Sequence, residues 1–254
     1  MRLRVLGSGT VTPSAERTAA AHWVEAGAAR ILLDCGAGTL HRAAQFGVAW
    51  PSMTHVAITH FHVDHWGELP HLVFAMRWGV EPARREPLTL IGPVGFRRRL
   101  EHLARGLGEW LLDPGYPLEL VELDHGTALD LTDDVVLEAH ATEHGDHSIA
   151  FAIRHGAVRL VYTGDTGPSD ALSAWARHCS LLLAECSLPA DRAIAIHLTP
   201  ERAGTLARDA EAARLVLTHF YPSVERVDPA AIAGRIFAGP VVAAADGDAF
   251  TIEA

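Results

Sequence analysis

Short apolar runs alternate with segments of helical periodicity along the chain, which is the pattern of a layered α/β protein. In the first part of the chain we predict strands at Leu3–Leu6, His22–Glu25, Arg30–Leu33, Val56–Thr59 and Leu88–Ile91. Helices are predicted between them at Thr39–Phe46, Glu68–Trp78 and Phe96–Arg105. The alternation therefore predicts the α/β class.

The middle of the chain is mostly strand, and helices return after it. Strands are predicted at Leu118–Val121, Val135–Ala139, Ile149–Ile153 and Arg159–Tyr162. Helices at Asp170–Arg177, Pro200–Asp209 and Pro229–Phe237 then alternate with strands at Leu181–Ala184 and Leu215–Thr218. The last two apolar runs, Val241–Ala244 and Ala249–Ile252, predict a hairpin around Asp246-Gly247-Asp248. No linker rich in Ser, Gly or Pro divides the chain, so we expect residues 1–254 to form one domain.

Composition narrows the class of protein. Of the 254 residues, 49% are apolar, enough for a sizeable core, and 20% are charged. The chain has neither the roughly 18 uninterrupted apolar residues of a membrane span nor the pattern of a signal peptide, so we expect a cytoplasmic protein without a membrane partner. The net charge of −10 argues against a broad nucleic-acid-binding face, because Lys and Arg make most phosphate contacts.

The run His60-Phe61-His62-Val63-Asp64-His65 carries four metal-ligand side chains directly after the predicted strand Val56–Thr59. Neutral imidazoles and carboxylates are the groups that Zn²⁺ and its first-row neighbours bind. So many such groups on one exposed turn would cost stability unless a metal held them. A polar loop without a ligand is the alternative, but the H-x-H-x-D-H spacing favours a metal site. We therefore predict a metal-dependent hydrolase.

Further ligands in an α/β protein should lie at strand ends, and three segments qualify. Asp165 follows a predicted strand on a glycine turn, a good position for a carboxylate that bridges two cations. His219 directly follows the predicted strand Leu215–Thr218. The segment Ala139–His147 holds three histidines, and its pattern alone does not single one out.

With these features the sequence resembles the metallo-β-lactamase superfamily, and within it the ribonuclease Z-like branch. The matching segments extend across nearly the whole chain: Leu6–Thr10, Leu32–Gly36, Thr59–His65, Thr163–Thr166, His197–Thr199 and Leu217–Phe220. The resemblance implies a four-layered αββα sandwich with the metals at one edge, between the sheets.

The resemblance also implies that the protein binds two divalent metal ions, each with its own set of ligands. One ion would be held by His60, His62 and a mid-chain histidine, and the other by Asp64, His65 and His219. Asp165 and a water or hydroxide would bridge them. For the mid-chain ligand we choose His144, in a Glu-His-Gly stretch shortly before a strand, with His140 and His147 as alternatives. Zinc is the expected metal, and manganese or iron fits the same donors.

Other residues take supporting or catalytic roles by the same resemblance. Asp34, with Thr59, would orient the ligand turn by hydrogen bonds, although Asp34 also fits a turn or helix cap before Gly36. His197 lies in the His-x-Thr context of a proton donor, and the alternative is a histidine that only packs at a helix start. Asp64 would be both a ligand and a catalytic residue that positions the hydroxide.

In the family that the sequence resembles, the context of His197 is typical of phosphodiesterase-like members, so the resemblance implies phosphodiester hydrolysis and we predict a small phosphodiester or nucleotide-like substrate. Ribonuclease Z-type cleavage of tRNA 3′ ends is an alternative, but the segment between His144 and Asp165 is too short for the basic arm of such enzymes. Arg84-Arg85 and Arg97-Arg98-Arg99 are basic, and we favour a solvated face for them. Lactone or thioester hydrolysis and a non-catalytic metal-binding interaction protein are further alternatives. Relatives are often homodimers, which makes a homodimer one state to test, although the sequence alone does not give the oligomeric state.

Overall fold

The computed structural model describes residues 1–253, and its strands form two sheets of seven strands each. The strands of the first half are β1 (Arg2–Gly7), β2 (Ala21–Ala26), β3 (Ala29–Leu33), β4 (His55–Ala57), β5 (Leu88–Pro93), β6 (Leu118–Leu123) and β7 (Ala128–Thr132). Those of the second half are β8 (Val135–Ala141), β9 (Ile149–His155), β10 (Val158–Tyr162), β11 (Leu181–Glu185), β12 (Leu215–Thr218), β13 (Val241–Ala243) and β14 (Ala249–Thr251).

Helices connect the strands that run parallel. They are α1 (Thr39–Gln45), α2 (Val63–Trp66), α3 (Leu69–Trp78), α4 (Phe96–Leu107), α5 (Asp170–Trp175), α6 (Pro200–Asp209) and α7 (Pro229–Ala233). Each parallel connection needs such a crossover, because a tight turn joins only antiparallel strands. None of the helices in residues 1–253 has the length and apolar character that a membrane crossing requires.

The two sheets have the same internal plan. The first has the order β14-β1-β2-β3-β4-β5-β6, and the second has the order β13-β12-β11-β10-β9-β8-β7. In the first sheet β3 to β6 run parallel, and in the second sheet β10 to β13 do so. The parallel parts matter for the site because the carboxyl ends of parallel strands meet at one edge of a sheet.

The sheets pack on each other and each carries helices on its outer face. Side chains alternate between the faces of a strand, so Leu181 and Leu183 of β11 join the core between the sheets while Leu182 packs outward against helices. On the other sheet Leu32 and Val56 pack outward against helices such as α3 and α4. These layers confirm the predicted αββα sandwich.

The predicted hairpin at the end of the chain is wrong. β13 pairs with β12 in the second sheet, whereas β14 pairs antiparallel with β1 in the first, with Leu3 opposite Phe250. The residues 244–248 therefore cross from one sheet to the other. Covering the open edge of β1 satisfies backbone groups that a local hairpin would leave unpaired.

Two elements were not predicted, the strand β7 and the helix α2. β7 pairs antiparallel with β8 at the edge of the second sheet. Part of the His60–His65 run, which was expected to be an exposed turn, forms the helix α2. Asp64 and His65 are buried in this short helix, and His62 and Val63 are exposed.

Candidate metal centre

The candidate ligands lie at the carboxyl ends of strands from both sheets. His60 follows β4, Asp165 follows β10 and His219 follows β12. A bridge between Gly9 and Phe220 and a hydrogen bond from Phe220 N to Ser8 O (2.9 Å) join the two sheets beside His219. His219 itself has a φ of 61°, a left-handed backbone that non-glycine residues adopt only when their surroundings hold them there.

One group of ligand atoms is formed by His60, His62, His144 and Asp165, all within 4.8 Å of one another. His144 Nε2 lies 3.1 Å from His62 Nδ1. Asp165 Oδ2 lies 3.7 Å from His60 Nε2 and 3.6 Å from His144 Nε2. The separations are those of groups arranged around a common centre, and the donors are those of a zinc site.

Of the mid-chain histidines, the structure brings only His144 to this group. The side chain of His144 is 1% exposed. His140 lies on β8, where its Nδ1 donates to Ala141 O at 2.7 Å and its ring packs on Trp175. His147 is exposed, on a turn with φ 63°.

A second group is formed by Asp64, His65 and His219. His219 Nε2 lies 3.1 Å from His65 Nε2 and 3.5 Å from Asp64 Oδ2. Asp165 faces this group with its other oxygen, since Oδ1 is 3.3 Å from both imidazole nitrogens. Asp165 thus directs one carboxylate oxygen to each group, the arrangement expected of a bridging ligand.

Gly164 allows Asp165 to approach the first sheet so closely. It has a φ of 55°, and a Cβ at this position would lie 2.8 Å from the Cβ of Thr59. A side chain here would push the Asp165 turn away from the His60 segment. The sequence pattern Gly164-Asp165 therefore follows from backbone conformation and space.

The donor set passes a test for metal binding that uses hydrogen bonds alone. A ring nitrogen facing a carbonyl, a carboxylate or an already donating hydroxyl must carry the proton. By this criterion Nδ1–H of His65 donates to Asp34 (2.7 Å) and Nδ1–H of His144 donates to Ile196 O (3.0 Å). Nδ1–H of His219 donates to the Ser187 hydroxyl (2.9 Å), which itself donates to Glu185. Nε2 of each ring is left to bind a cation.

Two further observations agree with a cation between these side chains. His60 Nε2 and Asp165 Oδ1 are buried and have no hydrogen-bond partner. The 3.1 Å contact between His65 Nε2 and His219 Nε2 requires a proton or a cation between the two nitrogens. The residues therefore fit metal ions at this edge.

The charge states suit the same purpose. Burial lowers the pKa of His60 well below its ordinary value, and the nearby His65 ring adds to this effect. His60 is therefore neutral, the form that binds a metal. Burial alone would raise the pKa of Asp165, but the imidazoles of His219 and His65 hold it well below the usual range. Asp165 is ionised.

Asp34 accepts hydrogen bonds from residues of the predicted ligand turn. Its carboxylate accepts from His65 Nδ1, from Thr59 N (2.8 Å) and from the Thr59 hydroxyl. A fourth donor is the hydroxyl of Tyr162, at 2.7 Å. The Thr59 hydroxyl in turn accepts from His60 Nδ1 (3.1 Å), so Asp34 and Thr59 together orient two of the predicted ligands.

His197 lies beside Asp165 and His219 in the candidate metal centre. Its ring is held by the carboxylate of Glu185, a residue that was not predicted from the sequence. Its Nδ1 donates to Glu185 at 2.8 Å, and Glu185 also accepts from Leu198 N and Thr166 N. Burial lowers the pKa of His197, but the Glu185 carboxylate outweighs it and raises the pKa above its ordinary value. His197, Asp165 and His219 place ligand-type atoms within 4.8 Å of one another.

Glu185, Ser187 and Tyr162 were not predicted as functional residues. The acidic end of the buried strand β11 was the only sequence signal for Glu185, and a fully buried carboxylate needs partners. Tyr162 resembles any core aromatic residue in sequence.

Comparisons with known proteins agree with the geometry. Residues 29–220 match the family model described as "Beta-lactamase superfamily domain". The chain is 30% identical over 251 residues to a ribonuclease Z of Mycobacterium bovis, covering 88% of this chain and 87% of that protein. It superposes on the metallo-beta-lactamase fold protein YhfI of Bacillus subtilis with a TM-score of 0.83, at 23% identity and covering 98% of each chain. For the short form of human tRNase Z the TM-score is 0.80, at 24% identity, with 100% of both chains covered.

Proposed function

The chain belongs to the metallo-β-lactamase superfamily, in its ribonuclease Z-like branch, and we propose that this hydrolase is a dinuclear phosphodiesterase acting on a small phosphodiester or nucleotide-like substrate. We assign His60, His62 and His144 to one ion and Asp64, His65 and His219 to the other, with Asp165 between them. Zinc is the metal we propose, and manganese or iron is the alternative.

The observation that carries the proposal is the way Asp165 faces both groups of ligands, at 3.3 Å with one oxygen and 3.6–3.7 Å with the other. When bound, a pair of divalent ions polarises a phosphoryl oxygen and activates a water for attack at neutral pH. The remaining tasks, orientation and proton transfer, fall to side chains of this chain.

His197 is the residue we propose for proton transfer to the leaving group. Because Nδ1–H is committed to Glu185, Nε2 is the ring atom left to face the substrate. The Glu185 carboxylate raises the pKa of His197 and so favours the protonated ring, in which Nε2 carries the proton that we propose is given to a departing alkoxide. Asp64, close to His219, would orient the attacking water while it remains a ligand.

A ribonuclease Z-type endonuclease is a second candidate, supported by the 30% identity to the M. bovis ribonuclease Z over 88% of the chain. The segment between His144 and Asp165 contains only the paired strands β9 and β10, so it provides no protruding arm there. This favours the smaller substrate. One domain over residues 1–254 and a homodimer stay predictions.

The test is hydrolysis by metal-loaded protein across one panel of substrates. It should contain an aryl phosphodiester, cyclic nucleotides, a precursor tRNA, an acyl-homoserine lactone and a glutathione thioester. We expect turnover of the phosphodiesters and none of the lactone or thioester. Turnover confined to precursor tRNA would establish the second candidate, and turnover of the lactone or thioester alone would refute phosphodiester chemistry.

A further inference from the structure

In residues 1–253 the arginines of helix α4 form no ion pair with a carboxylate, although the chain has a net charge of −10. Its sequence, FRRRLEHLARGL, contains four arginines and one glutamate. Phe96, Leu100 and Ala104 are buried, so the arginines lie on the solvent side. Within residues 1–253 the arginines that form ion pairs with carboxylates all lie elsewhere: Arg17, Arg42, Arg154, Arg159, Arg177 and Arg208.

Arg99 is held against the segment that carries the metal ligands. Its guanidinium carbon lies 4.3 Å from the ring centroid of Phe61, the residue between His60 and His62. The Phe61 ring also packs on Phe96, and its carbonyl accepts from Trp66 Nε1 at 2.8 Å. The arginine therefore rests on the ring of the residue that precedes the exposed His62 in sequence, where a cation–π contact orients it.

The guanidinium N–H groups of Arg99 donate no hydrogen bond within residues 1–253. In the described part of the chain, neither Arg98 nor Arg99 donates a side-chain hydrogen bond, whereas Arg97 donates to Leu120 O. A guanidinium offers five donors in a planar fork that matches two oxygens of a phosphate. An exposed arginine fixed by its ring contact and left with every donor free is suited to an anionic ligand.

We propose that Arg99, assisted by Arg98, binds a second phosphate of the substrate, one that is not cleaved, on the His62 side of the metal centre. This inference rests on the proposed phosphodiesterase function and deepens it, because it makes a substrate with more than one phosphate the preferred class. The second phosphate belongs either to a polynucleotide strand or to a small nucleotide. The solvated face expected from sequence is, on this view, a substrate subsite.

The experiment measures KM for three substrates: bis(p-nitrophenyl) phosphate, a 5′-phosphorylated dinucleotide and a single-stranded oligoribonucleotide. Arg99→Ala should raise KM for the two longer substrates about tenfold relative to the aryl diester, the value of one charge-assisted hydrogen-bonded contact. For the Arg99→Ala variant, the slope of log KM against the logarithm of the salt concentration should be smaller by about one unit than for the wild type. Arg105→Ala, on the same helix but without a contact to the ligand segment, is the matched control.

The KM values distinguish a small nucleotide from a polynucleotide strand as the source of the second phosphate. An effect on both longer substrates identifies a small nucleotide as sufficient, and an effect on the oligoribonucleotide alone identifies a strand; each supports the subsite. Equal effects of Arg99→Ala and Arg105→Ala, or none, overturn it. Calorimetric binding of the dinucleotide to metal-loaded protein tests the subsite without turnover. If Arg99→Ala weakens that binding while no substrate is hydrolysed, the subsite stands and the proposed function fails.

Discussion

His197 Nδ1 donates a 2.8 Å hydrogen bond to the Glu185 carboxylate, and both side chains are buried beside the candidate metal centre. Glu185 is itself fixed by the backbone amides of Thr166 and Leu198, and it accepts from the Ser187 hydroxyl. Ser187 accepts from His219 Nδ1, so one carboxylate orients the proposed proton donor and, through a hydroxyl, a proposed ligand.

Glu185→Gln should lower kcat by about 10- to 100-fold, the range found when a partner of a functional imidazole is altered. The amide keeps the shape of the side chain but removes the charge that raises the pKa of His197. We expect kcat to fall more than KM changes, measured with an aryl phosphodiester. The exposed Glu119, changed to Gln, is the control, and equal kcat values for the two variants would remove Glu185 from the mechanism.

Asp64→Ala and His197→Ala should fail in different ways. Asp64 lies among the ligand atoms, so its loss should remove metal and activity together. His197 is held by Glu185 at its own Nδ1, so its loss should leave both metals bound while turnover falls about 10²- to 10⁴-fold, the usual contribution of a general acid. Metal analysis beside steady-state kinetics distinguishes them. Unchanged turnover in His197→Ala would contradict the proposed role.

The sequence was informative where local spacing specifies chemistry. The six residues from His60 to His65 predicted a metal site. His219 and Asp165 could be assigned to the same site because strand ends converge at one edge of a sheet. The choice of His144 required the family resemblance, because three neighbouring histidines have similar local patterns. The structure separates them by what each ring contacts.

The remaining features depend on contacts between distant parts of the chain. The partner of a strand is decided by long-range pairing, so β14 adds to β1 although the turn before it resembles a hairpin. Glu185 ends a strand as many acidic residues do, and only the fold brings His197 within 2.8 Å of it. The role of Arg99 likewise depends on the packing of α4 against Phe61.

Asp34→Asn should weaken metal binding by the group Asp64, His65 and His219 without unfolding the protein. Asn tolerates the left-handed backbone of this residue, whose φ is 57°. Its amide, however, cannot accept from Thr59, His65 and Tyr162 with both terminal atoms as the carboxylate does. We expect a 10- to 100-fold loss of affinity for one metal equivalent, measured by competition with a chelator. The exposed Asp130→Asn should bind as wild type, and identical affinities in the two variants would refute the role of Asp34.

The three mid-chain histidines offer a direct test of the ligand assignment. His144 Nε2 is 3.1 Å from His62 Nδ1 and 3.6 Å from Asp165 Oδ2, so His144→Ala should cost about one metal equivalent and the activity. His140→Ala and His147→Ala are controls of the same chemical type, because His140 packs on Trp175 and His147 faces solvent. Both should retain full metal content, measured by mass spectrometry of the dialysed protein. A loss of metal in either control, with His144→Ala fully loaded, would transfer the assignment to that residue.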